Sequence, residues 1–191
     1  RLQPELVLPG GIASVRQARF GAGGLAGVFT EKNTREDLFD AMRNRETFGT
    51  SGPRIEPRFF AGKKLPKDLC SSPDMLSQAY ANGVPMGGEL SLAANSASPD
   101  FLVAASADSG TANHPGVLLQ RLQVIKGWAG KDGSMQQRVY DVAGNPDNLA
   151  SVDLDTCEPS GSGYRNLCTV WQDPQYDASQ QAVYYARVLE N

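Results

Sequence analysis

Histidine is nearly absent: the chain of 191 residues has one, His114. A hydrolytic metal centre gathers several His, Asp, Glu or Cys ligands and leaves one position open for water. A serine–histidine–aspartate site would have to use this same residue, without the Gly-x-Ser-x-Gly elbow that presents the serine. His114 stands in Thr111-Ala-Asn-His-Pro-Gly116 with no second histidine nearby, so it reads as an exposed loop residue. No catalytic residue and no metal ligand is therefore assigned, and catalysis by this chain alone is not expected. The pairs Gly23-Gly24 and Gly87-Gly88 lack both the Gly-x-Gly-x-x-Gly spacing and the Lys-Ser/Thr of a phosphate loop. An excess of positive charge is missing as well. The net charge is −3, the isoelectric point is near 5.2 and the Lys and Arg residues are scattered, which argues against a nucleic-acid partner. No apolar run reaches membrane-spanning length and none has signal-peptide architecture. The chain opens on Arg1 and reads as a piece of a longer protein.

Cysteines are few, three in all. Cys157 and Cys168 flank CEPSGSGYRNLC, whose Pro, Ser and Gly let it bend back on itself, so a Cys157–Cys168 disulfide is the favoured expectation over two separate buried thiols. The spacing does not suit a zinc pair. Cys70 is then left over, with a partner expected beyond Asn191. A bridge would place the parent protein in the periplasm or outside the cell.

What is present begins with one clear helix. Thr34 fits an N-cap with Asp37 three residues on, and Glu36 and Asp37 set negative charge on the first turn, where the helix dipole favours it. Leu38, Ala41, Met42 and the stem of Arg45 recur at i, i+3, i+4 and i+7. Thr47 to Ser51 are poor helix formers and Gly52-Pro53 is a turn signal, so the helix ends near Glu46 and a strand follows from Arg54 to Phe60. Before it, residues 1–24 read as irregular, with the short apolar run Leu6-Val7-Leu8 closed by Pro9-Gly10-Gly11. Ser71 to Ala81 justifies about one further helical turn.

From Asp100 onward the period is two. Phe101, Val103, Ala105 and Ala107 alternate, as do Leu122 and Val124 against Arg121 and Gln123, and further strands are expected around Val139–Val142, Cys168–Trp171 and Ala182–Leu189. Turn clusters at Ser109-Gly110, Pro115-Gly116, Lys131-Asp132-Gly133 and Gly144-Asn145-Pro146 separate them. Short strands at this spacing, without helices between, predict an antiparallel, immunoglobulin-like β-sandwich from about Arg54 to the end.

The run TREDLFDAMRNRETFGTSGPRI, with Gly24-Leu-Ala-Gly-Val28 before it, resembles the end of the metal-binding domain in carbaryl-hydrolase-like metallohydrolases of the polymerase-and-histidinol-phosphatase (PHP) superfamily. Phe48-Gly49 stands where that motif usually has Tyr-Ala. Gly83-Val-Pro-Met-Gly-Gly88, the strand Leu122 to Trp128 and Tyr184-Tyr-Ala-Arg-Val-Leu-Glu190 resemble a bacterial family known as a domain of unknown function, DUF3604. The resemblance implies that residues 1–53 close an α/β metal-binding barrel, most of which precedes Arg1, and that residues 54–191 form the sandwich. It implies a complete parent that hydrolyses a phosphoester, carboxyl ester or carbamate with divalent-metal-activated water, the metal ligands and the rest of the barrel lying outside this chain. No cofactor is expected on the chain itself.

Two surfaces remain as binding readings. Thr47, Thr50 and Ser51 gather hydroxyls and backbone amides between Arg45 and Arg54, which suits a small-molecule substrate with an anionic or carbonyl oxygen. The competing reading makes them turn and strand-edge residues, with the arginines paired to Glu31, Glu46 or Glu56. Trp128, Tyr140, Tyr164, Trp171, Tyr176, Tyr184 and Tyr185 offer a second possibility, a sugar-stacking face on an accessory binding sandwich. Most of them sit at alternating strand positions, where core packing is the commoner use.

Overall fold

The computed structural model describes residues 23–191, together with two short paired strands before them, β1 (Val7–Leu8) and β2 (Ile12–Ala13). Of the irregular segment expected over residues 1–24, residues 23 and 24 are irregular and the remainder up to residue 22, β1 and β2 apart, lies outside the described residues. β3 (Leu25–Val28) pairs antiparallel with β4 (Thr47–Thr50), and helix α1 (Arg35–Arg43) connects them. α1 starts as its sequence requires: the Thr34 hydroxyl oxygen accepts from the Asp37 amide at 3.1 Å, with Glu36 and Asp37 on the first turn. Its apolar stripe is only partly used, since Ala41 is buried whereas Phe39 and Met42 are exposed.

The rest is mainly strand, in two antiparallel sheets. β5 (Glu56–Gly62), β6 (Gly83–Pro85), β7 (Asp100–Ser106) and β12 (Asn166–Gln172) form a four-stranded sheet in the order β12-β7-β5-β6. β8 (Leu119–Ala129), β9 (Met135–Gly144) and β13 (Ala182–Glu190) form a three-stranded sheet in the order β13-β8-β9. A small hairpin, β10 (Ser151–Val152) with β11 (Pro159–Ser160), lies outside both. The sheets face each other as a β-sandwich. Phe59, Phe101, Val103, Ala105 and Leu167 from one meet Leu122 and Val124 from the other in a single core cluster.

The immunoglobulin-like arrangement is not what forms. In that fold the third, sixth and seventh strands share a sheet apart from the first and second. Here the first, second, third and sixth strands of the sandwich share one sheet, and the fourth, fifth and seventh form the other. The long link from β6 to β7 lets β7 return beside β5 on the edge opposite β6, and composition gives no sign of that choice.

A second correction concerns helices. Met75–Asn82 is a two-turn helix, α2, and with a 3-10 turn at Leu69–Ser71 it covers the outer face of the four-stranded sheet. Phe60, Leu65, Leu69, Ala79 and Leu102 form a separate apolar cluster there. β7 is consequently buried on both faces. The period of two seen in Phe101, Val103 and Ala105 is real in geometry, yet Leu102 and Ala104 are buried as well.

The disulfide expectation is corrected in its partner. Cys168 bonds Cys70, and Cys157 is a free, exposed thiol. The reason is the strand period. Leu167 points into the sandwich core, so Cys168 and Val170 point to the opposite face, where Cys70 waits in the 3-10 turn. Cys157 sits on the solvent-exposed segment between β10 and β11, away from that face.

A buried ion pair locks the three-stranded sheet to the loop before β13. Lys126 Nζ donates to Asp173 Oδ2 at 2.6 Å and to the Gln175 carbonyl at 2.8 Å, and Tyr184 Oη donates to the same Asp173 oxygen at 2.8 Å. Side-chain exposure is 3% for Lys126 and 0% for Asp173, so the charges are satisfied by one another and not by water. Burial pushes the Asp173 carboxyl up, but hydrogen bonds from Lys126, Gln175 and Tyr184 outweigh it and hold it below the ordinary carboxylate range. Tyr184 is raised, first by burial and then by its bond to Asp173, and stays a protonated donor.

Candidate functional site: an open cleft beside the last strand

The helix–strand passage singled out in the sequence builds one wall of a cleft. After α1 the chain reverses through Arg45, whose φ of 62° is in the left-handed region, and the Glu46 amide bonds back to the Ala41 carbonyl. β4 then runs beside β3 with Phe48 lying across Gly27, where any side chain would collide with the ring. Phe48 stacks on Phe29, and the Arg58 guanidinium sits 3.5 Å from the centre of the Phe29 ring, tying the hairpin to β5. Tyr80 Oη donates to Glu46 Oε2 at 3.0 Å, a further tie from α2.

The cleft has a volume of about 1360 Å³. Its walls are β4, the segment from Met86 to Leu92 and the length of β13, and its floor is apolar, with Ile55, Phe59 and Phe101. Arg45, Thr47, Thr50 and Ser51 line it, so four of the five residues proposed from the sequence come together on one wall. Arg54 is not among the lining residues. Its backbone amide donates to Asp108 Oδ2 at 2.7 Å, and this bond and one from the Gly110 amide hold the Asp108 carboxyl below its ordinary range.

Arg45 is committed to structure. Its Nε and Nη2 donate to the Gly87 carbonyl at 3.0 and 2.8 Å, which fixes one side of the cleft to the other. Neither Arg45 nor Arg54 forms an ion pair with Glu31, Glu46 or Glu56 among the described residues. At the far end of β13, Glu190 also lines the cleft. Its Oε1 is buried without a hydrogen-bond partner among the described residues, and burial, then the Asp108 charge, raises its carboxyl. Sequence reasoning passed over Glu190 because a glutamate at the end of a strand has no distinguishing pattern. Its significance comes from the burial of one oxygen.

The remaining readings are placed as follows. His114 is exposed in a tight turn closed by the Thr111 amide to the His114 carbonyl at 2.7 Å, with no second histidine in the chain. No group of three or more His, Cys, Asp and Glu residues able to hold a metal occurs among the described residues. The aromatic residues do not share one face. Phe101 packs against Trp171 and Tyr184 inside the sandwich, the half-buried Tyr140 packs against Trp171, and Tyr164 and Tyr185 are exposed. Tyr184 and Tyr185 point to opposite faces, as adjacent strand residues must.

No helix among the described residues is long and apolar enough to cross a membrane. No curated protein and no solved structure matches the chain. A family model described as "Protein of unknown function (DUF3604)" matches residues 7–191, nearly the whole sequence and both sides of the helix-to-sandwich junction. The chain therefore belongs to the DUF3604 family.

Proposed function

We propose that this chain is the C-terminal supporting part of a metal-dependent hydrolase that cleaves an ester-type bond, whether phosphoester, carboxyl ester or carbamate. The observation that carries the reading is the location of the passage resembling PHP-type metallohydrolases. It supplies α1 and β4, and through Thr47, Thr50 and Ser51 it forms a wall of the cleft. In this reading residues 1–53 complete a barrel, residues 54–191 support it, and the divalent metal is held by ligands preceding Arg1. Thr47, Thr50 and Ser51 then offer hydroxyls to a substrate oxygen at the border of the pocket. Arg45 holds that border in place through Gly87 and Arg54 flanks it. The Cys70–Cys168 disulfide supports a periplasmic or secreted setting.

The test uses the complete natural protein with a panel of nitrophenyl phosphate, acetate and carbamate esters. Turnover of one class that requires divalent metal, with KM raised about tenfold by Thr50→Val or Ser51→Ala at unchanged fold, is the expected result. Absence of turnover on all three classes would refute it. The alternative reading, a carbohydrate-binding sandwich, needs a coplanar aromatic platform, and the packing of Trp171 and Tyr184 against the core disfavours it.

A further inference from the structure

The passage over residues 25–50 is held together mainly by itself. β3 and β4 form a two-stranded sheet of their own, the Phe29 amide donates to the Glu46 carbonyl at 3.0 Å, and the Phe29 and Phe48 rings stack with their centres 5.0 Å apart. Among the described residues it contributes to neither apolar cluster of the sandwich. Its polar and aromatic ties to the sandwich, among the described residues, are Arg45 to the Gly87 carbonyl, Glu46 to Tyr80, and Phe29 to Arg58. A body that closes its own hydrogen bonds and shares little apolar surface with its neighbour separates from it at lower cost than either body unfolds.

The chain between the two bodies has a pivot with fixed limits. On the sandwich side the Arg54 amide is bonded to Asp108, and Ile55 is part of the core. On the other side β4 ends at Thr50. Between them Gly52 has a φ of 138° and open space where a side chain would stand, so residues 51–53 can absorb a rotation without a collision. The catch is Gly87. Its φ is 82°, and a Cβ there would stand 2.5 Å from the Asn44 carbonyl oxygen and 2.6 Å from that of Arg45. Only a glycine lets the two backbones approach so closely, and that approach puts the Gly87 carbonyl within reach of the Arg45 guanidinium. β4 walls the cleft from one body and β13 from the other, so a rotation between the bodies changes its width.

We propose that residues 25–50 swing as one body about residues 51–53, opening and closing the cleft, with Gly87 as the catch that Arg45 engages in the closed state. Tyr80, through Glu46, is the second point of closure. The inference stands apart from the hydrolase reading, since it rests on how this body is attached and needs neither metal nor substrate.

Spin labels at Asp40→Cys in α1 and Gln137→Cys in β9, both exposed positions, report the separation of the two bodies by double electron–electron resonance. The intact chain is used, with Cys157→Ser to remove the free thiol. One major distance is expected, with a longer one populated at about 1–5%. Arg45→Ala combined with Tyr80→Phe, and separately Gly87→Ala, are each expected to raise the longer population about tenfold. Amide exchange read by mass spectrometry should show α1 and β7 still protected in these variants, as rotation of intact bodies requires. Distances unchanged by the Arg45→Ala/Tyr80→Phe pair overturn the proposal, whether or not Gly87→Ala folds. Lengthening that comes with lost protection in β7 overturns it too, because the sandwich would then be unfolding and not turning against its neighbour.

Discussion

Replacing both Cys70 and Cys168 by Ala tests the packing argument at its most consequential covalent link. The bridge joins residues 98 apart in sequence, so it restricts the unfolded chain strongly. The chain-entropy relation gives about 4.7 kcal/mol for a loop of that length, against about 2.8 kcal/mol for the short loop a Cys157–Cys168 bridge would close. Measured bridges usually deliver somewhat less than the relation gives, so a loss of about 3–4 kcal/mol is expected, with the unfolding midpoint lowered by about 10 °C. The assay is equilibrium denaturant unfolding of the oxidised protein and of the C70A/C168A and C157S variants, with non-reducing peptide mapping of each. The bridge pins the 3-10 turn and α2 onto the outer face of the four-stranded sheet, so the double variant should also lose exchange protection around Leu69 and Ala79 first. C157S should unfold like the parent. A destabilised C157S, or a mapped Cys157–Cys168 peptide, would refute the strand-face argument that sends Cys168 to Cys70.

Other perturbations have equally definite outcomes. Lys126→Met leaves the Asp173 carboxylate buried without its cation and should cost about 3–5 kcal/mol in denaturant unfolding, with much of it regained when Asp173→Leu is added. The Asp173 carboxyl is held below its unfolded value, so its contribution is complete above the unfolded pKa and is lost as pH falls through the folded one. Stability measured from pH 6 downward should therefore decline less steeply in the D173N variant than in the parent. Thr34→Ala removes the N-cap of α1 and should cost about 1 kcal/mol. Arg45→Ala frees the Gly87 carbonyl and should cost about 1–2 kcal/mol, with faster amide exchange in β4 and in residues 86–92.

Local chemistry was legible in the sequence and long-range choice was not. Thr34, Asp37 and the change of residue type at Thr47 gave α1 and β4 because capping and propensity act over a few residues. Alternation gave β7, β8, β12 and β13, and it also contained the disulfide answer, because Leu167 and Cys168 must face opposite ways. That answer needed the position of Cys70, which depends on Leu65 and Leu69 packing against Leu102 across the sheet. α2 was underestimated because its stability comes from that packing more than from its own sequence. At the site, Arg45, Thr47, Thr50 and Ser51 were recognisable as a polar cluster between helix and strand. Arg54 was assigned with them by proximity in sequence, although the turn at Gly52-Pro53 redirects its amide to Asp108. The cleft itself was invisible, since it arises from a mismatch of four strands over three, a property of topology.

Metal content of the complete natural protein tests the central proposal most directly. Elemental analysis should find stoichiometric divalent metal in the complete protein and none in residues 1–191 alone, with chelation abolishing ester hydrolysis and metal restoring it. A complete protein that is metal-free and inert on all the esters, after incubation with excess divalent metal, would contradict the account.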